Sequence, residues 1–463
     1  MQQSILLNTD SYKVGMHLMY PPNTTGIYSY IESRGGKYDT TLFFGLQAFI
    51  KEYLLTPITQ EMIEEADFIW DAHGEPFNKA NWEYILNKHN GYLPVRIKAV
   101  PEGSVVPTKN VLVTIENTDP NCFWLTTWLE TAMLRAVWYP TTVATLSKSI
   151  KTVIAEYLER SGTPNTINFE LQDFGARGVS SNESAGLGGM AHLVNFMGTD
   201  TINGMLYARK YYNAGVAGFS IPATEHSVIS AWGKDNEVEA YRNLLTQCAK
   251  PGAIVACVSD AYDIYNAVEN LWGEELRQQV VDSGATLVIR PDSGDPEQVI
   301  IRLLKTLGEK FGFTVNEKGY KVLNNVRLIQ GDGVNEQQIR SILGHMLVLK
   351  WSADNIAFGM GGGLLQIVNR DDQKFAMKCS AACINNVWVD VYKDPITDPG
   401  KTSKKGRITL WTDGHGQYMS AVNKPTNWTD KGTTWVEALE TVFENGKLVK
   451  EYSFEEVRNN SNI

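Results

Sequence analysis

Short clusters of glycines and polar residues follow several apolar stretches of this chain and suit a phosphorylated sugar. The run Gly359 to Gly363 holds four glycines and one methionine ahead of a helical stretch. Its backbone N–H groups and a helix N-terminus could bind an anion, and a tight structural turn is the alternative. Asp292 and the run Gly331-Asp332-Gly333 offer carboxylates for sugar hydroxyls or for a metal ion. Arg177, Arg290 and Arg370 supply forked donors for phosphate oxygens.

For several other residues, the residue type alone is also explained by an ordinary structural position. His226, at the end of a strand, fits either an active group or a helix cap, and Asp200 also fits a cap. Tyr12 and Phe174 fit the core. Asp173-Phe174-Gly175 matches the DFG motif of protein kinases. Neither an HRD motif nor a glycine-rich loop with its lysine accompanies it, which argues against a kinase.

The elements that must position these residues alternate between apolar strands and helical stretches from about residue 168 onward. This alternation predicts a parallel sheet that closes or nearly closes into a barrel, with the polar clusters at the carboxyl ends of its strands. The predicted strand ends are 169–175, 193–200, 216–226, 253–260, 286–294, 326–333 and 355–363.

Both chain ends differ from this pattern and predict a β-rich α+β domain around an inserted barrel. The expected boundaries are 1–150 with 371–463 for the β-rich domain, and 151–370 for the α/β barrel. The predicted strands are 26–33, 95–100, 111–116, 376–394, 407–412 and 417–422, and the predicted helices lie at about 41–55, 59–72 and 121–138. The last helix carries three tryptophans, which indicates a core or subunit-interface helix.

The composition excludes several classes of protein. With 463 residues, 43% of them apolar and 20% charged, the chain is a folded globular protein. A net charge of -10 argues against a nucleic-acid partner, so any phosphate site must be locally basic. No apolar stretch approaches the roughly 20 residues of a membrane span. Five cysteines without a CxxC pair favour free thiols, and we expect a cytoplasmic protein.

Taken in order, ten segments closely resemble the nicotinamide phosphoribosyltransferases, a family of type II phosphoribosyltransferases, over about residues 5 to 458. They are NTDSYK (8–13), YPPNT (20–24), DFGARGVSS (173–181), GTDT (198–201), PATEHSVISAWGKD (222–235), VSDAYDIYNA (258–267), IRPDSG (289–294), IQGDGV (329–334), AFGMGGGLLQ (357–366) and SKKGR (403–407). The resemblance implies an irregular α/β barrel and a β-rich domain built from both ends of the chain.

The resemblance also implies a reaction. Nicotinamide and phosphoribosyl pyrophosphate would give nicotinamide mononucleotide and pyrophosphate, with Mg²⁺ carried mainly by the substrate's pyrophosphate. ATP would be a co-substrate, hydrolysed through a phosphohistidine. The enzyme would be a homodimer with its active sites at the subunit interface.

Residue roles carry over from the same resemblance. Phe174 and the other subunit's Tyr12 would clamp the pyridine ring, and Asp200 would accept a hydrogen bond from the carboxamide. His226 would be phosphorylated, with Glu225 and Asp260 as candidates for orienting its imidazole. The other residues would bind parts of the substrates. Arg177, Arg290 and Arg370 would bind phosphates, Asp292, Gly331 and Asp332 would contact the ribose, and Gly361 and Gly362 would bind the 5′-phosphate. The residues that would face pyrophosphate or ATP phosphates are Arg34, Lys378, Lys393 and Arg407.

The chain departs from the animal members of the family in a short 35–43 segment and at Ala176, Ile367 and Ala376. These departures bear on ligand and ATP affinity. Three alternatives remain: a nicotinate phosphoribosyltransferase, which should offer a donor instead of Asp200; a binding protein with a vestigial site; and a barrel aldolase or isomerase. The aldolase would need a Schiff-base lysine at a strand end, and none of the seven strand ends has one.

Overall fold

The computed structural model describes residues 4–397, 402–422, 424–425 and 427–462. The chain forms two compact units. Unit 1 consists of Met1–Thr145, Ala208–Ala214 and Asn369–Ile463, and unit 2 of Leu146–Tyr207 and Gly215–Val368.

The strands and α-helices of the described residues are as follows. The strands are β1 (Thr24–Ser33), β2 (Thr40–Leu42), β3 (Val95–Ala99), β4 (Val105–Pro107), β5 (Val111–Asn117), β6 (Leu171–Asp173), β7 (Gly198–Thr199), β8 (Ile254–Val258), β9 (Thr286–Arg290), β10 (Phe313–Val315), β11 (Lys321–Leu323), β12 (Val326–Gln330), β13 (Ile356–Met360), β14 (Phe375–Ile384), β15 (Val387–Asp390), β16 (Ile408–Thr412), β17 (Tyr418–Val422), β18 (Asn427–Asp430), β19 (Thr433–Glu437), β20 (Glu440–Glu444) and β21 (Lys447–Leu448). The helices are α1 (Leu46–Phe49), α2 (Gln60–His73), α3 (Lys79–Lys88), α4 (Leu125–Trp128), α5 (Glu130–Ser161), α6 (Asn182–Leu193), α7 (Ile202–Tyr212), α8 (His226–Ser230), α9 (Glu237–Cys248), α10 (Ile264–Asn266), α11 (Arg277–Ser283), α12 (Pro296–Phe311), α13 (Glu336–Val348), α14 (Gly362–Leu365) and α15 (Phe454–Ser461).

Unit 2 is built on a six-stranded parallel sheet with the order β7-β6-β13-β12-β9-β8. Its strands are short and mostly buried, as expected for a parallel sheet covered by helices. After β9, Asp295 caps the first turn of α12 and Pro296 occupies the first helical position. The apolar face of α12 is buried and includes Leu303 and Leu307. The α/β class predicted from the sequence is therefore confirmed.

The segment 219–224 joins the two ends of this sheet without forming a regular strand. Phe219 bridges Gly198 of β7, and Ala223 bridges Ala256 of β8. The predicted strand at 216–226 is therefore reduced to isolated bridges, and the one at 193–200 to the two residues of β7. Pro222 has no N–H, which accounts for part of the interruption in the ladder.

Unit 1 contains a seven-stranded sheet with the order β15-β14-β1-β5-β3-β20-β21. β1 pairs antiparallel with β14, from Thr24 opposite Ile384 to Ser33 opposite Phe375, so the two chain ends share one sheet. A four-stranded sheet, β17-β16-β19-β18, also belongs to this unit. The predicted strand 376–394 is instead the hairpin of β14 and β15, which turns at Asn385 and Asn386, both with positive φ.

Two helix predictions need correction. The stretch predicted as a helix at about 41–55 begins with β2, and its helix starts only at Leu46. The helix expected at 121–138 continues as α5 to Ser161, although Pro140 lies inside it. Pro140 leaves the Ala136 carbonyl without its usual helical donor, and both groups lie against Gly45, where a Cβ would be 2.3 Å from the proline Cγ.

Two of the three tryptophans of this stretch, Trp124 and Trp128, are buried in unit 1, whereas Trp138 is partly buried. Trp82 lies 4.9 Å from Trp124 and 5.1 Å from Trp128 between ring centroids, with steep interplanar angles. Trp70 contacts Trp128 edge to face. This cluster confirms the core interpretation of the tryptophan-rich stretch at these positions.

No helix among the described residues is long and apolar enough to cross a membrane. All five cysteines are free thiols.

Candidate active site

Phe174 directly follows the carboxyl end of β6 in the parallel sheet. Its ring packs against the buried cluster of Ala256, Val288 and Ile329. A Cβ on Gly359 would come within 2.1 Å of the Phe174 ring, so only glycine leaves room for this ring there. The ring remains partly exposed. Phe174 thus presents an aromatic face at a strand end, the position where barrels bind their ligands.

Asp200 lies on the turn after β7, next to the strand that carries Phe174. Its backbone N–H donates to the Asp173 carbonyl at 2.9 Å. The Ser220 hydroxyl donates to the Asp200 carboxylate at 2.5 Å. The side chain is exposed, so this carboxylate is an accessible acceptor. The sequence did not single out Ser220, because nothing in the pattern GFSIP predicts a contact 20 residues away.

Asp173, which the sequence suggested only as part of a rejected kinase motif, is fully buried at the end of β6. Its Oδ1 accepts from the Gly175 N–H at 2.7 Å. Burial, with a smaller contribution from the Asp200 charge, raises the pKa of the carboxyl from 3.8 to about 6, although the hydrogen bond from the Gly175 N–H opposes this shift. Thr199 and Thr201 also favour the charged form, but neither hydroxyl is in hydrogen-bond geometry with Oδ2.

His226 begins α8, and its Nε2 lies 2.9 Å from Asp260 Oδ1. The imidazole is about half exposed, whereas the Asp260 side chain is 4% exposed. The other Asp260 oxygen accepts from the Asp292 N–H and the Ser293 hydroxyl. Burial opposes ionisation of Asp260, but its hydrogen bonds, first those from Ser293 and His226, outweigh burial and hold its pKa below the ordinary value.

Glu225, the second carboxylate considered for orienting His226, is bonded elsewhere. It accepts from the Ser227 hydroxyl. Within the described part of the chain, the carboxylate that contacts the His226 ring is that of Asp260. Ser293, which supports Asp260, was missed from the sequence because a serine in a Ser-Gly turn is common in loops.

Arg290 and Asp292 stand together at the end of β9, with Arg290 Nε 3.5 Å from Asp292 Oδ1. The Arg290 Nε is buried and has no hydrogen-bond partner among the described residues. A Cβ on Gly331 would lie 3.4 Å from the Phe174 ring and 3.8 Å from Asp292 Oδ1. The structure therefore brings Phe174, Gly331 and Asp292 together. An arginine donor without a hydrogen bond at this place suits an anionic ligand.

The glycine turn after β13 leads into α14. Gly361 has φ -95° and ψ -116°, a backbone conformation that glycine adopts easily. Gly178 lies against Gly362, where a Cβ would be 3.2 Å from the Gly362 nitrogen. The turn that carries exposed Arg177 is therefore next to the glycine turn. Asp332 is exposed on the turn after β12.

Unit 1 carries its own group of cations. Lys378, on β14, is half-buried, and its pKa is lowered first by burial and then by the charges of Arg34, Lys393 and Lys13, with Glu130 acting in the opposite direction. Arg34 Nε donates to Glu32 at 3.1 Å, and its buried Nη2 has no partner among the described residues. This group gives local positive charge within an acidic chain.

The other predicted residues of unit 1 are more exposed. Arg407 donates to Glu116 at 2.6 Å and lies over the Trp388 ring. Arg370 has a weak ion pair with its neighbour Asp371. Tyr12 is 58% exposed, beside buried Lys13.

Three positions depart from the animal members of the resembled family. Of these, Ala176 and Ile367 are exposed and Ala376 is partly buried.

A separate group in unit 1 has the donor types of a metal site. Ligand atoms of His89, Asp119 and Cys122 lie within 4.8 Å of one another. Asp119 already accepts from the Asn121 N–H, the Tyr84 hydroxyl and the His89 ring. These hydrogen bonds account for the group without an ion.

Comparison with known proteins shows which family the chain belongs to. The model of the nicotinate phosphoribosyltransferase family matches residues 169–447, which include all six strands of the parallel sheet. The chain belongs to this family of phosphoribosyltransferases. The model of the nicotinamide phosphoribosyltransferase N-terminal domain also matches, over residues 4–97.

Relatives and solved structures agree with this assignment. A nicotinamide phosphoribosyltransferase of Xanthomonas campestris pv. campestris is 55% identical over 460 residues, covering 98% of this chain and 97% of the relative. One of Acinetobacter baylyi is 32% identical and covers 97% and 95%. The structure of the nicotinate-nucleotide pyrophosphorylase from Pyrococcus furiosus superposes with a TM-score of 0.65 at 16% identity, covering 99% and 97%, which supports the fold.

Proposed function

We propose that this phosphoribosyltransferase joins nicotinamide to phosphoribosyl pyrophosphate and releases nicotinamide mononucleotide and pyrophosphate, a step of NAD biosynthesis by salvage. The match of residues 4–97 to the nicotinamide phosphoribosyltransferase N-terminal domain carries this proposal. The names of its relatives support it over nicotinate as the substrate.

The exposed Asp200 carboxylate supports the same choice of base. It is an acceptor for the carboxamide NH₂ of nicotinamide, with the pyridine ring stacked on Phe174. Nicotinate would bring a second carboxylate against it, and like charges at close range disfavour binding. We expect discrimination of roughly a hundredfold or more.

The residues of unit 2 would act by positioning and by charge. The pyridine nitrogen attacks C1 of the ribose as pyrophosphate leaves, so the protein need not supply a nucleophile. Arg290, whose Nε makes no hydrogen bond among the described residues, and Arg177 would bind phosphate oxygens, while Asp292 would hold the ribose hydroxyls. The turn at Gly361 and Gly362 would bind the 5′-phosphate, and Gly331 and Asp332 would line the ribose.

Mg²⁺ would be bound mainly by the pyrophosphate of the substrate. Within the described ranges, no group of three metal-binding side chains lies at these strand ends. A hard cation that keeps several waters and binds through phosphates suits such a site, and it would neutralise charge on the leaving pyrophosphate.

ATP coupling would act at His226. If Nε2–H donates to Asp260, Nδ1 keeps the lone pair that accepts the γ-phosphoryl group from ATP as ADP leaves. Hydrolysis of the P–N bond then returns free imidazole and phosphate. Asp260 would stabilise the positive charge of the ring, as carboxylates do for histidines that transfer groups. The phosphorylated state would favour product formation energetically, without attacking the sugar.

The active enzyme would be a homodimer with its sites at the subunit interface. Tyr12 is exposed, and in this arrangement it would cover the pyridine ring of the other subunit. The cations Arg34, Lys378, Lys393 and Arg407 would face pyrophosphate or ATP phosphates, and Arg370 a substrate phosphate.

A product assay tests the function directly. Purified protein, phosphoribosyl pyrophosphate and Mg²⁺ are incubated with nicotinamide or nicotinate, each with and without ATP. We expect nicotinamide mononucleotide as the preferred product, with a higher yield when ATP is present. Turnover of nicotinate alone would overturn the substrate assignment.

A histidine variant separates the two parts of the proposal. His226→Asn should abolish the gain from ATP and the labelling of protein by γ-phosphate-labelled ATP, while ATP-independent turnover of nicotinamide remains. His345→Asn, at an exposed position on α13, is the matched control and should keep the full ATP effect. Undiminished ATP coupling in His226→Asn would exclude the phosphohistidine at this position.

A further inference from the structure

Asp173 is the residue of unit 2 whose burial and bonding the proposed reaction leaves unexplained. Its side chain has no exposed surface, and its Oδ2 is a buried oxygen without a hydrogen-bond partner among the described residues. A buried carboxylate in this state opposes folding. The fold alone gives no reason for a charged group here, since an asparagine would accept the same N–H without this penalty.

The hydrogen bonds of Asp173 hold the turn that leaves β6. Its Oδ1 accepts from the Gly175 N–H at 2.7 Å, which closes an Asx turn around Phe174. The Gly175 carbonyl in turn accepts from the Gly178 N–H at 2.9 Å. Phe174 lies within the first of these turns and Arg177 within the second, so two successive turns fix both side chains.

The surroundings leave the turn little alternative space. A Cβ on Gly175 would lie 2.6 Å from Leu365 and 3.0 Å from Asp173 Oδ1, so the chain passes tightly between these two side chains. The Phe174 N–H donates to the Met360 carbonyl at 2.8 Å. Without the Asp173 acceptor, the Gly175 N–H would be left unpaired at the point where the strand pairing ends.

We propose that the Asp173 carboxylate is a positioning residue that fixes residues 174–178, so that Phe174 and Arg177 meet the base and the phosphate of the substrates in one arrangement. It acts through these two residues and does not touch the substrates itself. A charged acceptor makes a stronger bond to an N–H than a neutral one, which gives the carboxylate a function at this buried position. This inference rests on the proposed function.

The test compares two variants whose side chains have the same number and branching of heavy atoms as aspartate. Asp173→Leu removes the acceptor and should raise KM for nicotinamide about tenfold or more, with a smaller change in kcat. Asp173→Asn keeps an acceptor oxygen and should return KM to within about threefold of the wild type. Glu170→Leu is the matched control, since Glu170 is also a buried carboxylate and directly precedes the same strand. It should leave KM unchanged.

Hydrogen exchange supplies a readout that needs no turnover. Exchange of the peptide that contains residues 174–178 should become faster in Asp173→Leu and stay at the wild-type rate in Glu170→Leu. An Asp173→Leu variant with unchanged KM and unchanged exchange, or an Asp173→Asn variant as impaired as Asp173→Leu, would overturn the inference. If the wild type turns over only nicotinate, the proposed function fails, and the same KM comparison with nicotinate decides the role of Asp173. If it turns over neither base, the exchange rates decide.

Discussion

Asp200 carries its charge on an exposed turn, with the Ser220 hydroxyl as its partner. Asp200→Asn replaces the carboxylate with an amide that also donates, so the repulsion of an anionic base is removed. We expect the ratio of kcat/KM for nicotinate to that for nicotinamide to rise about tenfold or more. Steady-state kinetics with both bases at saturating phosphoribosyl pyrophosphate measure this ratio.

Ser220→Ala is the control for this substitution. It removes the hydroxyl donor but keeps the Asp200 charge, so nicotinate should remain excluded while KM for nicotinamide changes modestly. An Asp200→Asn enzyme that still excludes nicotinate as strongly as the wild type would show that another group sets the specificity.

At the scale of single residues, the sequence predicted which residues belong to the candidate site better than it predicted their contacts. Asp260 and His226 were both named, and the 2.9 Å contact between them is present. Glu225 was named with them but pairs with Ser227. Ser220 was missed because its partner Asp200 lies 20 residues away, and no local spacing encodes that contact. The partner of Asp173 is local, but its complete burial depends on how β6 pairs with neighbouring strands.

The strand β13 contributes to the site through the absence of a side chain. At Gly359 a Cβ would lie 2.1 Å from the Phe174 ring. Gly359→Ala must therefore displace the ring, and we expect KM for nicotinamide to rise about tenfold and the free energy of unfolding to fall by about 1–3 kcal/mol. Enzyme kinetics and urea denaturation measure the two effects.

Gly215→Ala is the matched control within unit 2. A Cβ there meets no atom within 4 Å. Both KM and stability should stay at the wild-type values. If Gly359→Ala also kept the wild-type KM, the ring of Phe174 would not take part in binding the base.

The elements themselves were predictable where burial alone decides them. Strands β8, β9, β12 and β13 follow the apolar runs of the sequence. The segment at 216–226 failed as a strand because it only bridges two neighbours, and α5 passes Pro140 because Gly45 leaves space beside it. Both exceptions depend on residues far away in sequence, which a local pattern cannot contain.

The chain entering β6 carries a second buried carboxyl, Glu170, whose protonation affects stability. Burial raises its pKa from 4.5 to about 7. Between these pH values the folded state keeps a proton that the unfolded state has released, so stability falls as pH rises through the window, by about 3 kcal/mol in total. Glu170→Gln removes this dependence.

We therefore expect the free energy of unfolding of Glu170→Gln, relative to the wild type, to rise by about 3 kcal/mol between pH 4.5 and pH 8. Urea denaturation at four pH values in this range measures it. Glu309→Gln, at an exposed position on α12, should give a difference that does not change with pH. A pH-independent difference for Glu170→Gln would contradict the assignment of the raised pKa.

At the scale of the whole molecule, unit 1 gathers both ends of the chain, since β1 and β14 are neighbours in one sheet. The composition predicted a folded protein whose phosphate site must be locally basic, and several cations lie around Lys378 in unit 1. Composition alone does not give an assembly. The exposed apolar side chains of unit 2 bear on it, because apolar surface of this kind is what a protein–protein interface buries. They are Ile202, Leu206, Val216, Phe219, Ile221, Val228 and Trp232, which are 39% to 68% exposed.

These side chains lead to a prediction about the homodimer. If a second subunit covers them and supplies Tyr12, dilution should lower the specific activity in parallel with the sedimentation coefficient. Leu206→Glu, which places a charge on this apolar set, should shift the dissociation to at least about tenfold higher protein concentration. Sedimentation velocity and activity are measured on the same dilution series.

Val348→Glu is the matched control, because Val348 is also an exposed apolar residue, 73% exposed, on α13. It should leave both the sedimentation coefficient and the activity unchanged. Tyr12→Ala should sediment as the wild type but lose affinity for nicotinamide, because it removes only the second aromatic face. Full activity in a monomeric Leu206→Glu enzyme would mean that each subunit completes its own site, and the contribution of Tyr12 across an interface would have to be abandoned.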